Sequence, residues 1–379
     1  MRILLVGEYS RLHNSLKEGL VSLQHEVSIV GDGDGFKNYN VDYSIEAKWS
    51  KKLILNILRQ LIYKISGYDF AKLERGIRFY FLLPKFKGFD VVQLINETPI
   101  KTNPALELYL LKKLAQLNSK LFLLSSGVDY LNVSFWMKKK SQKSVLTPFF
   151  ENETLKPKFE YIFNYLSETH RKNHDFVYQN CNGIIATDFD YVIPLKGNPK
   201  FLGLIPNPVN IKNLSCDKLT AGDKIVIFLG INRGNYNQKG ICYFEDALET
   251  IKEKYPEKVE IITAENIPYD DYINLYNKSH ILLDQVYALD QGYNALEAMA
   301  KGKVVFTGAG KDFTEYYQLN EKAVINAEPD VAYLVKELSY LIENPDEISA
   351  ISKRARIFIE KEHDYIRIAE KYIAVWQNN

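Results

Sequence analysis

The stretch RILLVGEYSRLHNSLKEGLVSLQHEVSIVG, residues 2–31, decides the fold of the N-terminal half. Its opening apolar run ends in a glycine, as a strand that is buried on both faces does. NSLKEGLVSLQ then has the spacing of a helix, and HEVSIVG is a second strand-like run. Strand, helix and strand within about 30 residues predict a right-handed βαβ unit with parallel strands.

Other strand-like runs alternate with helical patterns along both halves of the chain. They are DVVQLI, KLFLLSS and GIIAT in the first half, and KIVIFLG, VEIITA, HILLDQ, KVVFTG and AVIN in the second. Such alternation is typical of parallel sheets with helices on both faces. We therefore predict an α/β fold with two Rossmann-like, doubly wound parallel-sheet domains. A ligand cleft is expected between the C-terminal ends of their strands.

A proline-rich segment marks the boundary between the two halves. LIPNPVN at 204–210 follows a strand-like run, and the polar stretch IKNLSCDKLTAGD comes next. Such punctuation is typical of a hinge, so we predict an N-terminal domain over residues 1–209 and a C-terminal domain over residues 210–345. The last residues, 346–379, have the pattern of one long helix from about Asp346 to Gln377, with an apolar stripe.

Charge and cysteine content narrow the possible functions. Lys and Arg number 48 against 47 Asp and Glu, so no overall positive field indicates nucleic acid as a partner. The three cysteines are far apart and form no CxxC motif, which indicates a reducing compartment with neither a disulfide framework nor a zinc site. No apolar run approaches the length of a membrane span, and no signal-peptide cleavage site follows the first residues. We expect a cytoplasmic protein.

The stretch 48–88 departs from the alternation of strands and helices. It has ten Lys and Arg residues against only Asp69 and Glu74, interleaved with apolar residues as in LILNILRQLIYKI. One interpretation is an amphipathic pair of helices that packs on the sheet and has a solvated basic face. The other is a surface that contacts anionic lipid or a phosphate-bearing acceptor, extended by WMKKKSQK at 136–143. The two interpretations are compatible.

Two cations lie on the loop that follows the strand KIVIFLG. The loop reads INRGNYNQKG and has Arg233 and Lys239 just before a helix begins. A guanidinium, an ammonium and the free N–H groups of a helix N-terminus suit a phosphate-bearing ligand. The alternative is two solvated loop cations. A Walker loop is excluded because GxxxxGK[ST] is absent.

The stretch QGYNALEAMAKGKVVFTG, residues 291–308, has a carboxylate within an apolar helix. ALEAMA is apolar on almost every side, which predicts a buried helix capped by Asn294 and ended by Gly302. A buried carboxylate at Glu297 is costly unless it has a partner. Asn294 and Glu297 have capping-box spacing, so Glu297 either satisfies the helix start or binds a ligand.

Together, FLGINRGNYNQKG and LEAMAKGKVV resemble the C-terminal half of family 4 glycosyltransferases, which have the GT-B fold. The resemblance is specific over about residues 225–310 and looser elsewhere. It implies a bacterial enzyme of the polysaccharide or lipid-sugar type, with an acceptor-binding N-terminal domain and a nucleotide-sugar-binding C-terminal domain. It also implies a crossover helix, residues 346–379, that packs back on the N-terminal domain.

The resemblance assigns roles to individual residues. Arg233 and Lys239 match the basic pair that holds the donor diphosphate, and Glu297 matches the second Glu of an E-x7-E motif, which holds the donor ribose. These three form the expected catalytic set. The further donor-binding candidates are Asp290, Gln291, Gly292, Tyr293, Asn294, Glu8 and Asp129.

The chain departs from the family pattern at several places. Leu289 stands where the first Glu of the motif belongs, and Asp290 beside it is a possible substitute. GEYSRLHN replaces a Gly-Gly pair after the first strand, and Asp129 follows LFLLSS where many members have a histidine. HRKNH at 170–174 has two histidines at metal-ligand spacing, but no third ligand accompanies them, so we interpret it as a surface helix and expect no metal site.

The resemblance implies transfer of a sugar from a UDP- or GDP-linked donor to a hydroxyl of a sugar or lipid-linked sugar acceptor. It implies retention of the anomeric configuration, no obligatory metal and no other cofactor. We expect no nucleic-acid partner, and peripheral contact with anionic lipid at the inner face of the cytoplasmic membrane. The alternatives are an inverting or epimerising GT-B enzyme that uses Asp129 or Glu97, and a non-catalytic paralogue that binds a sugar-nucleotide.

Overall fold

The computed structural model describes residues 1–214, 224–265, 267 and 269–379, and it confirms the predicted fold class. Its strands form two separate sheets, and every pairing between the named strands is parallel. Most of the polar stretch after the hinge, including Cys216, lies outside the described residues.

The N-terminal sheet has seven strands in the order β3-β2-β1-β4-β5-β6-β7. They are β1 (Arg2–Val6), β2 (Glu26–Gly31), β3 (Tyr43–Ser44), β4 (Val91–Leu94), β5 (Leu121–Ser125), β6 (Gly183–Ala186) and β7 (Phe201–Leu204). The helices of this half are α1 (Leu12–Ser22), α2 (Leu53–Ser66), α3 (Phe70–Leu82), α4 (Pro104–Gln116), α5 (Tyr130–Lys138), α6 (Thr147–Glu151), α7 (Lys156–Phe163), α8 (Glu168–Asn180) and α9 (Phe189–Leu195).

The C-terminal sheet has five strands in the order β12-β11-β10-β8-β9. They are β8 (Ile225–Ile231), β9 (Val259–Glu265), β10 (Ile281–Leu283), β11 (Val304–Thr307) and β12 (Ile325–Asn326). The helices are α10 (Tyr236–Lys239), α11 (Ile241–Lys254), α12 (Tyr269–Lys278), α13 (Tyr293–Ala300), α14 (Lys311–Tyr316), α15 (Val331–Glu343), α16 (Pro345–Glu362) and α17 (Tyr365–Asn378).

Continuous apolar strands form because both faces of each sheet are covered. In β1, Leu4 and Val6 belong to one buried cluster, whereas Ile3 and Leu5 belong to another on the opposite face. Strand order reverses at β1, which lies between β2 and β4, and again at β8, which lies between β9 and β10. Ligand crevices in doubly wound sheets lie outside the C-terminal ends of the strands at such reversals.

The C-terminal segment forms two helices, α16 and α17, and not the single helix that the sequence predicts. Helix α16 ends at Glu362, and α17 begins after Asp364, whose carboxylate accepts hydrogen bonds from the N–H groups of Ile366 and Arg367 at 3.1 and 3.0 Å. This cap starts a new helix without any proline or glycine, so no helix breaker marks the break in the sequence.

The two helices pack on different domains. Residues of α16 such as Phe358 lie in a cluster with α13 of the C-terminal domain. Helix α17 covers α1 and the N-terminal sheet, where Tyr372 and Trp376 are fully buried among β1 residues. The indole N–H of Trp376 also donates to Gln93 Oε1 on β4, at 3.0 Å. The chain therefore crosses between the domains at the α16–α17 junction.

Candidate functional site

A cleft of about 460 Å³ lies between the two domains. The C-terminal domain supplies most of its wall, and the N-terminal domain supplies Ser10, Lys37 and Tyr39. The loops after β8 and β10 both contribute, as expected at the reversal of strand order.

One wall of the cleft is apolar and aromatic. Its residues are Ile231, Ala264, Ile267, Tyr272, Ile273, Tyr276, Leu282 and Leu283. The rings of Tyr272 and Tyr276 stack with centroids 6.1 Å apart and an angle of 22° between their planes. A flat wall of this kind suits a planar ring, while the polar residues opposite suit charged and hydroxyl groups.

Lys239 lies in the cleft, as a phosphate-binding residue requires. Its Nζ donates to Asp284 Oδ1 at 2.8 Å, and Asp284 Oδ2 accepts from Thr307 Oγ1 at 3.1 Å. Asp284 is almost completely buried, so it fixes the position of the ammonium at the cleft wall. Asp284 directly follows β10, in the segment DQVYALDQGYN, which offers it as a substitute for the missing first Glu of the motif.

The backbone conformation at position 240 requires the glycine that follows Lys239. Its φ is +66°, a conformation that favours glycine, and a Cβ there would lie 2.4 Å from Val286 Cγ2. Only glycine therefore lets α10 turn directly into α11 at this point. The first N–H groups of α11 have no partner within their own helix, which adds to the positive potential near Lys239.

The structure does not bring Arg233 to the cleft wall. Its guanidinium donates to both oxygens of Glu265, at 2.8 and 2.6 Å, and lies over the ring of Tyr236. The side chain is about half exposed. Its neighbours Asn232 and Asn235 do line the cleft, so Arg233 lies at the rim of the site.

Glu297 also lines the cleft, and the capping-box interpretation of this residue is wrong. The helix begins at Tyr293 with Gly292 as its cap, so Asn294 lies inside the first turn. No hydrogen bond or ion pair of the Glu297 carboxylate occurs within the described part of the chain. Burial raises the pKa of this group, while the charges of Arg11, Lys301 and Lys37 act in the opposite direction.

The end of this helix is as the sequence predicts. Gly302 has φ +73°, and its N–H donates to the carbonyl of Met299 at 3.0 Å. The N–H of Lys303 donates to the carbonyl of Ala298 at 2.9 Å, which completes a Schellman motif. The helix is thus fixed at both ends by backbone geometry alone, and Glu297 is not needed for either end.

The other residues expected at 290–294 divide into two groups. Tyr293 and Asn294 line the cleft, and the hydroxyl of Tyr293 bonds Ser15 Oγ of α1 at 2.5 Å across the two domains. Asp290, Gln291 and Gly292 are outside the cleft lining. Burial raises the pKa of Asp290 to about 7, and its Oδ1 accepts the N–H of Gln291 at 2.7 Å.

Glu8 and Asp129, the candidates from the N-terminal domain, are buried and are not among the residues that line the cleft. Glu8 Oε2 accepts the N–H and Nδ2 of Asn14, at 2.9 and 2.6 Å, whereas its Oε1 is buried without a hydrogen bond. Asp129 caps α5, since its Oδ1 accepts the N–H of Asn132 at 2.6 Å. Burial raises the pKa of both groups to about 7, and the charge of Glu97 also contributes at Asp129.

Three N-terminal residues of the cleft were missed from the sequence. Lys37 Nζ donates to Ser10 Oγ at 2.7 Å and pairs with Asp34 at 3.1 Å, so the loops after β1 and β2 are joined there. Tyr39 completes this wall. The signal for this wall was GDGDG at 31–35, which lies just before Lys37 and ends in a turn where Asp34 has a left-handed backbone, with φ +59°.

The histidines of HRKNH do not form a metal site. His174 Nδ1 bonds Glu97 Oε1 at 2.7 Å, whereas His170 bonds Ser167 within the first turn of α8. Across the residues that the structure describes, no group of three or more His, Cys, Asp or Glu side chains is arranged to hold a metal ion. Nor does any helix there have the length and hydropathy that a membrane crossing requires.

Residues 238–374 match the family model described as glycosyl transferase-like. This range includes Lys239, Asp284 and Glu297, three of the polar residues that line the cleft. No curated protein matches the sequence.

Solved structures share this fold over the full length of the chain. Sucrose-phosphate synthase from Thermosynechococcus elongatus is 13% identical with a TM-score of 0.61, and 100% of this chain and 99% of that chain are covered. HepE from Anabaena, solved with UDP-glucose, is 12% identical with a TM-score of 0.56, and both chains are fully covered. WaaG, a glycosyltransferase involved in lipopolysaccharide biosynthesis, is 13% identical with a TM-score of 0.54 and full coverage of both chains.

These similarities show the GT-B fold, with two Rossmann-like domains of seven and five parallel strands. Residues 238–374 of the C-terminal half are similar to the glycosyl transferase-like family, and this match supports a glycosyltransferase.

Proposed function

We propose that the protein is a family 4-type glycosyltransferase that moves a sugar from a UDP- or GDP-linked donor to a hydroxyl of a sugar or lipid-linked sugar. The observation that carries the proposal is the opposite pair of charges in one cleft: the Lys239 ammonium and the Glu297 carboxylate beside an aromatic wall. The ammonium of Lys239 suits the diphosphate of the donor, the carboxylate of Glu297 suits the ribose, and the aromatic wall suits the base. We place the reaction in polysaccharide or glycolipid synthesis, at the inner face of the cytoplasmic membrane.

Departure of the nucleoside diphosphate is the demanding step, because negative charge grows on the leaving phosphate. Lys239 is held by Asp284 before the reaction begins, so its stabilisation of that charge needs no rearrangement. One preorganised contact of this kind contributes about 3 kcal/mol, or on the order of 100-fold in rate. We assign this role to Lys239 first and to Arg233 second, because Arg233 must leave Glu265 to take part.

Glu297 is proposed to accept hydrogen bonds from the ribose hydroxyls. A carboxylate accepts strongly, and this one has no acceptor role within the described part of the chain. Three nearby cations favour its ionised form against the effect of burial. The nucleoside half of the donor is thereby held while its diphosphate lies at Lys239.

Retention without a metal agrees with the position of the acidic groups. Asp284 is bound to Lys239, and Asp129 and Glu97 are buried and hydrogen-bonded outside the cleft lining. The leaving phosphate itself can then take the proton of the acceptor hydroxyl. The inverting or epimerising alternative needs one of those carboxylates at the acceptor, and the anomeric configuration of the product, read by NMR, decides between them.

A non-catalytic role is the second candidate, because Leu289 replaces the first Glu of the motif and Asp290 is not among the residues that line the cleft. Calorimetric titration with UDP, GDP and their sugars tests both proposals. We expect one nucleotide to bind the wild type, Lys239→Ala to weaken binding strongly, and Lys311→Ala, a highly exposed lysine of α14, to have no effect. If no nucleotide binds, the donor site is wrong; if a nucleotide sugar binds but is neither hydrolysed nor transferred, the protein is the non-catalytic paralogue.

A further inference from the structure

Helix α2 has its apolar face turned outwards. Leu53, Ile57, Leu61 and Ile65 recur at intervals of four and therefore share one face, and they are 79%, 62%, 54% and 77% exposed. The half-buried positions of α2 are Asn56, Arg59 and Ile62, so the side towards the domain is mainly polar. There Arg59 donates from Nε and Nη2 to the two carboxylate oxygens of Asp69, at 2.6 and 3.0 Å.

The next helix, α3, packs in the ordinary direction. Its residues Ala71, Gly76 and Phe79 are buried on the domain. A Cβ added to Gly76 would lie 2.5 Å from Thr102 Oγ1, which shows how closely α3 approaches the loop after β4. Ile77, Tyr80 and Phe81 of α3 are also exposed, at 36%, 47% and 72%, but α3 has a buried side, whereas none of the described side chains of α2 is buried. The interpretation that both helices pack on the sheet therefore does not hold for α2.

The surface around α2 is positively charged. Seven lysines of the stretch 48–88 are exposed: Lys48, Lys51, Lys52, Lys64, Lys72, Lys85 and Lys87. The two acidic residues of this stretch are engaged within the domain. Asp69 binds Arg59, and Glu74 accepts the N–H groups of Trp49 and Ser50, both at 2.8 Å. The stretch thus presents cations and apolar side chains together, with no exposed carboxylate of its own.

We propose that α2 lies in the interface of an anionic phospholipid membrane, with Leu53, Ile57, Leu61 and Ile65 among the acyl chains and the lysines at the headgroups. An outward apolar face combined with exposed cations is what such interfacial helices require. A second copy of this chain fits less well, because a two-fold contact through α2 would bring two sets of lysines together.

The position of α2 connects this surface with the cleft. Tyr68, just after α2, accepts a hydrogen bond from Asn103 Nδ2 at 2.8 Å, and Thr102 Oγ1 donates to the carbonyl of Lys72 at 2.7 Å. Both Thr102 and Asn103 belong to the loop that follows β4. This loop lies at the C-terminal edge of the N-terminal sheet, as do the cleft residues Ser10, Lys37 and Tyr39, which follow β1 and β2. A membrane bound at α2 therefore lies at the same edge of the sheet as the cleft.

This inference rests on the membrane location in the proposed function, but membrane binding is tested without any sugar transfer, so the two proposals can fail separately. The full chain is sedimented with vesicles of phosphatidylcholine alone or mixed with phosphatidylglycerol, at low and at high salt. We expect binding to the mixed vesicles at low salt, with loss at high salt. Ile57→Glu combined with Leu61→Glu should lower the bound-to-free ratio by at least about tenfold. Both residues are exposed, so the fold should tolerate the change.

Ile357→Glu is the matched control, since Ile357 on α16 is equally exposed, at 61%, but lies on the other domain. It should bind as the wild type does, and nucleotide titration of all variants shows whether the donor site is intact. Wild type that stays in the supernatant at low salt overturns the proposal, as does equal binding by the double variant. A concentration-dependent dimer that the double variant abolishes, without vesicle binding, assigns the face to a second copy instead.

Discussion

Helices α2 and α17 are both amphipathic and both 14 residues long, but their apolar faces end in opposite environments. Tyr372 and Trp376 of α17 are fully buried on the N-terminal domain, whereas Ile57 and Leu61 of α2 are mostly exposed. An amphipathic pattern predicts which face needs a cover, and it does not say whether the same chain provides that cover.

The same distinction applies to the charged groups of the cleft. Asp284 has its partner inside the protein, because Lys239 and Thr307 both bind it. The Glu297 carboxylate has no such partner among the described residues. Groups whose partners lie inside should affect stability when they are replaced, and groups without one should affect binding instead.

Trp376→Ala is expected to have the largest effect on stability. It removes a fully buried indole and leaves Gln93 without its hydrogen-bond donor. Replacement of a buried Trp by Ala typically costs about 3–5 kcal/mol. Thermal unfolding followed by circular dichroism should show a midpoint lowered by several degrees. An unchanged midpoint would mean that α17 is not held on the N-terminal domain in solution.

Lys239→Ala is expected to reduce sugar transfer by about 100-fold, equivalent to about 3 kcal/mol of transition-state stabilisation. It also leaves Asp284 buried without its counterion, so stability should fall as well. The comparison is Arg233→Ala on the same loop, which removes only an exposed pair with Glu265 and should leave the free protein as stable as before. Equal transfer by the Lys239 variant and the wild type would contradict the assignment of the diphosphate site.

Glu297→Gln should weaken nucleotide binding without destabilising the free protein. Hydrogen bonds to a charged acceptor contribute about 1.5–3 kcal/mol, so the dissociation constant should rise by roughly 10- to 100-fold. The folded-state pKa is raised, so this group favours the fold while protonated and loses that contribution as pH rises through its folded pKa. At neutral pH the variant should therefore be at least as stable as the wild type. A less stable variant with normal nucleotide affinity would make Glu297 a structural residue.

Glu8→Gln offers a smaller test that depends on pH. The pKa of Glu8 rises from 4.5 to about 7 on folding because the group is buried, with one oxygen unpartnered. Its contribution to stability is present below about pH 4.5 and is lost as pH rises through about 7. The difference in unfolding free energy between variant and wild type should thus shift in favour of the variant between these pH values. Parallel stability curves over that range would show that Glu8 is not buried as its surroundings indicate.

Much of this arrangement follows from the sequence, because its causes are local. Each continuous apolar run became a parallel strand, and ALEAMA became the body of α13, which ends at Ala300, two residues before Gly302, and has Glu297 on the cleft side. The change from helix to strand in that segment depends on residues that are close in sequence. The periodicity of apolar residues therefore predicts it.

What the sequence did not show depends on partners far along the chain. Arg233 is held by Glu265, 32 residues away, so the loop alone could not indicate that its guanidinium is engaged. The start of α17 depends on the cap at Asp364, and the Lys37 wall depends on contact between two loops. The direction of α2 is set by Arg59 and Asp69, ten residues apart, which turn the polar face inwards. The sequence pattern alone does not show whether such a contact or the burial of the apolar face decides which way a helix faces.

Ile57→Ala on α2 is the smallest expected effect and the sharpest counterpart to Trp376→Ala. Ile57 is exposed in the free protein, so its truncation should change the free energy of unfolding by less than about 0.5 kcal/mol. The same change should still lower vesicle binding measurably, because the lost apolar area is buried only in lipid. The measurement is chemical unfolding of wild type and variant with and without anionic vesicles. A loss of stability in the absence of vesicles would mean that α2 packs its apolar face on the protein in solution, and the contrast with α17 would then disappear.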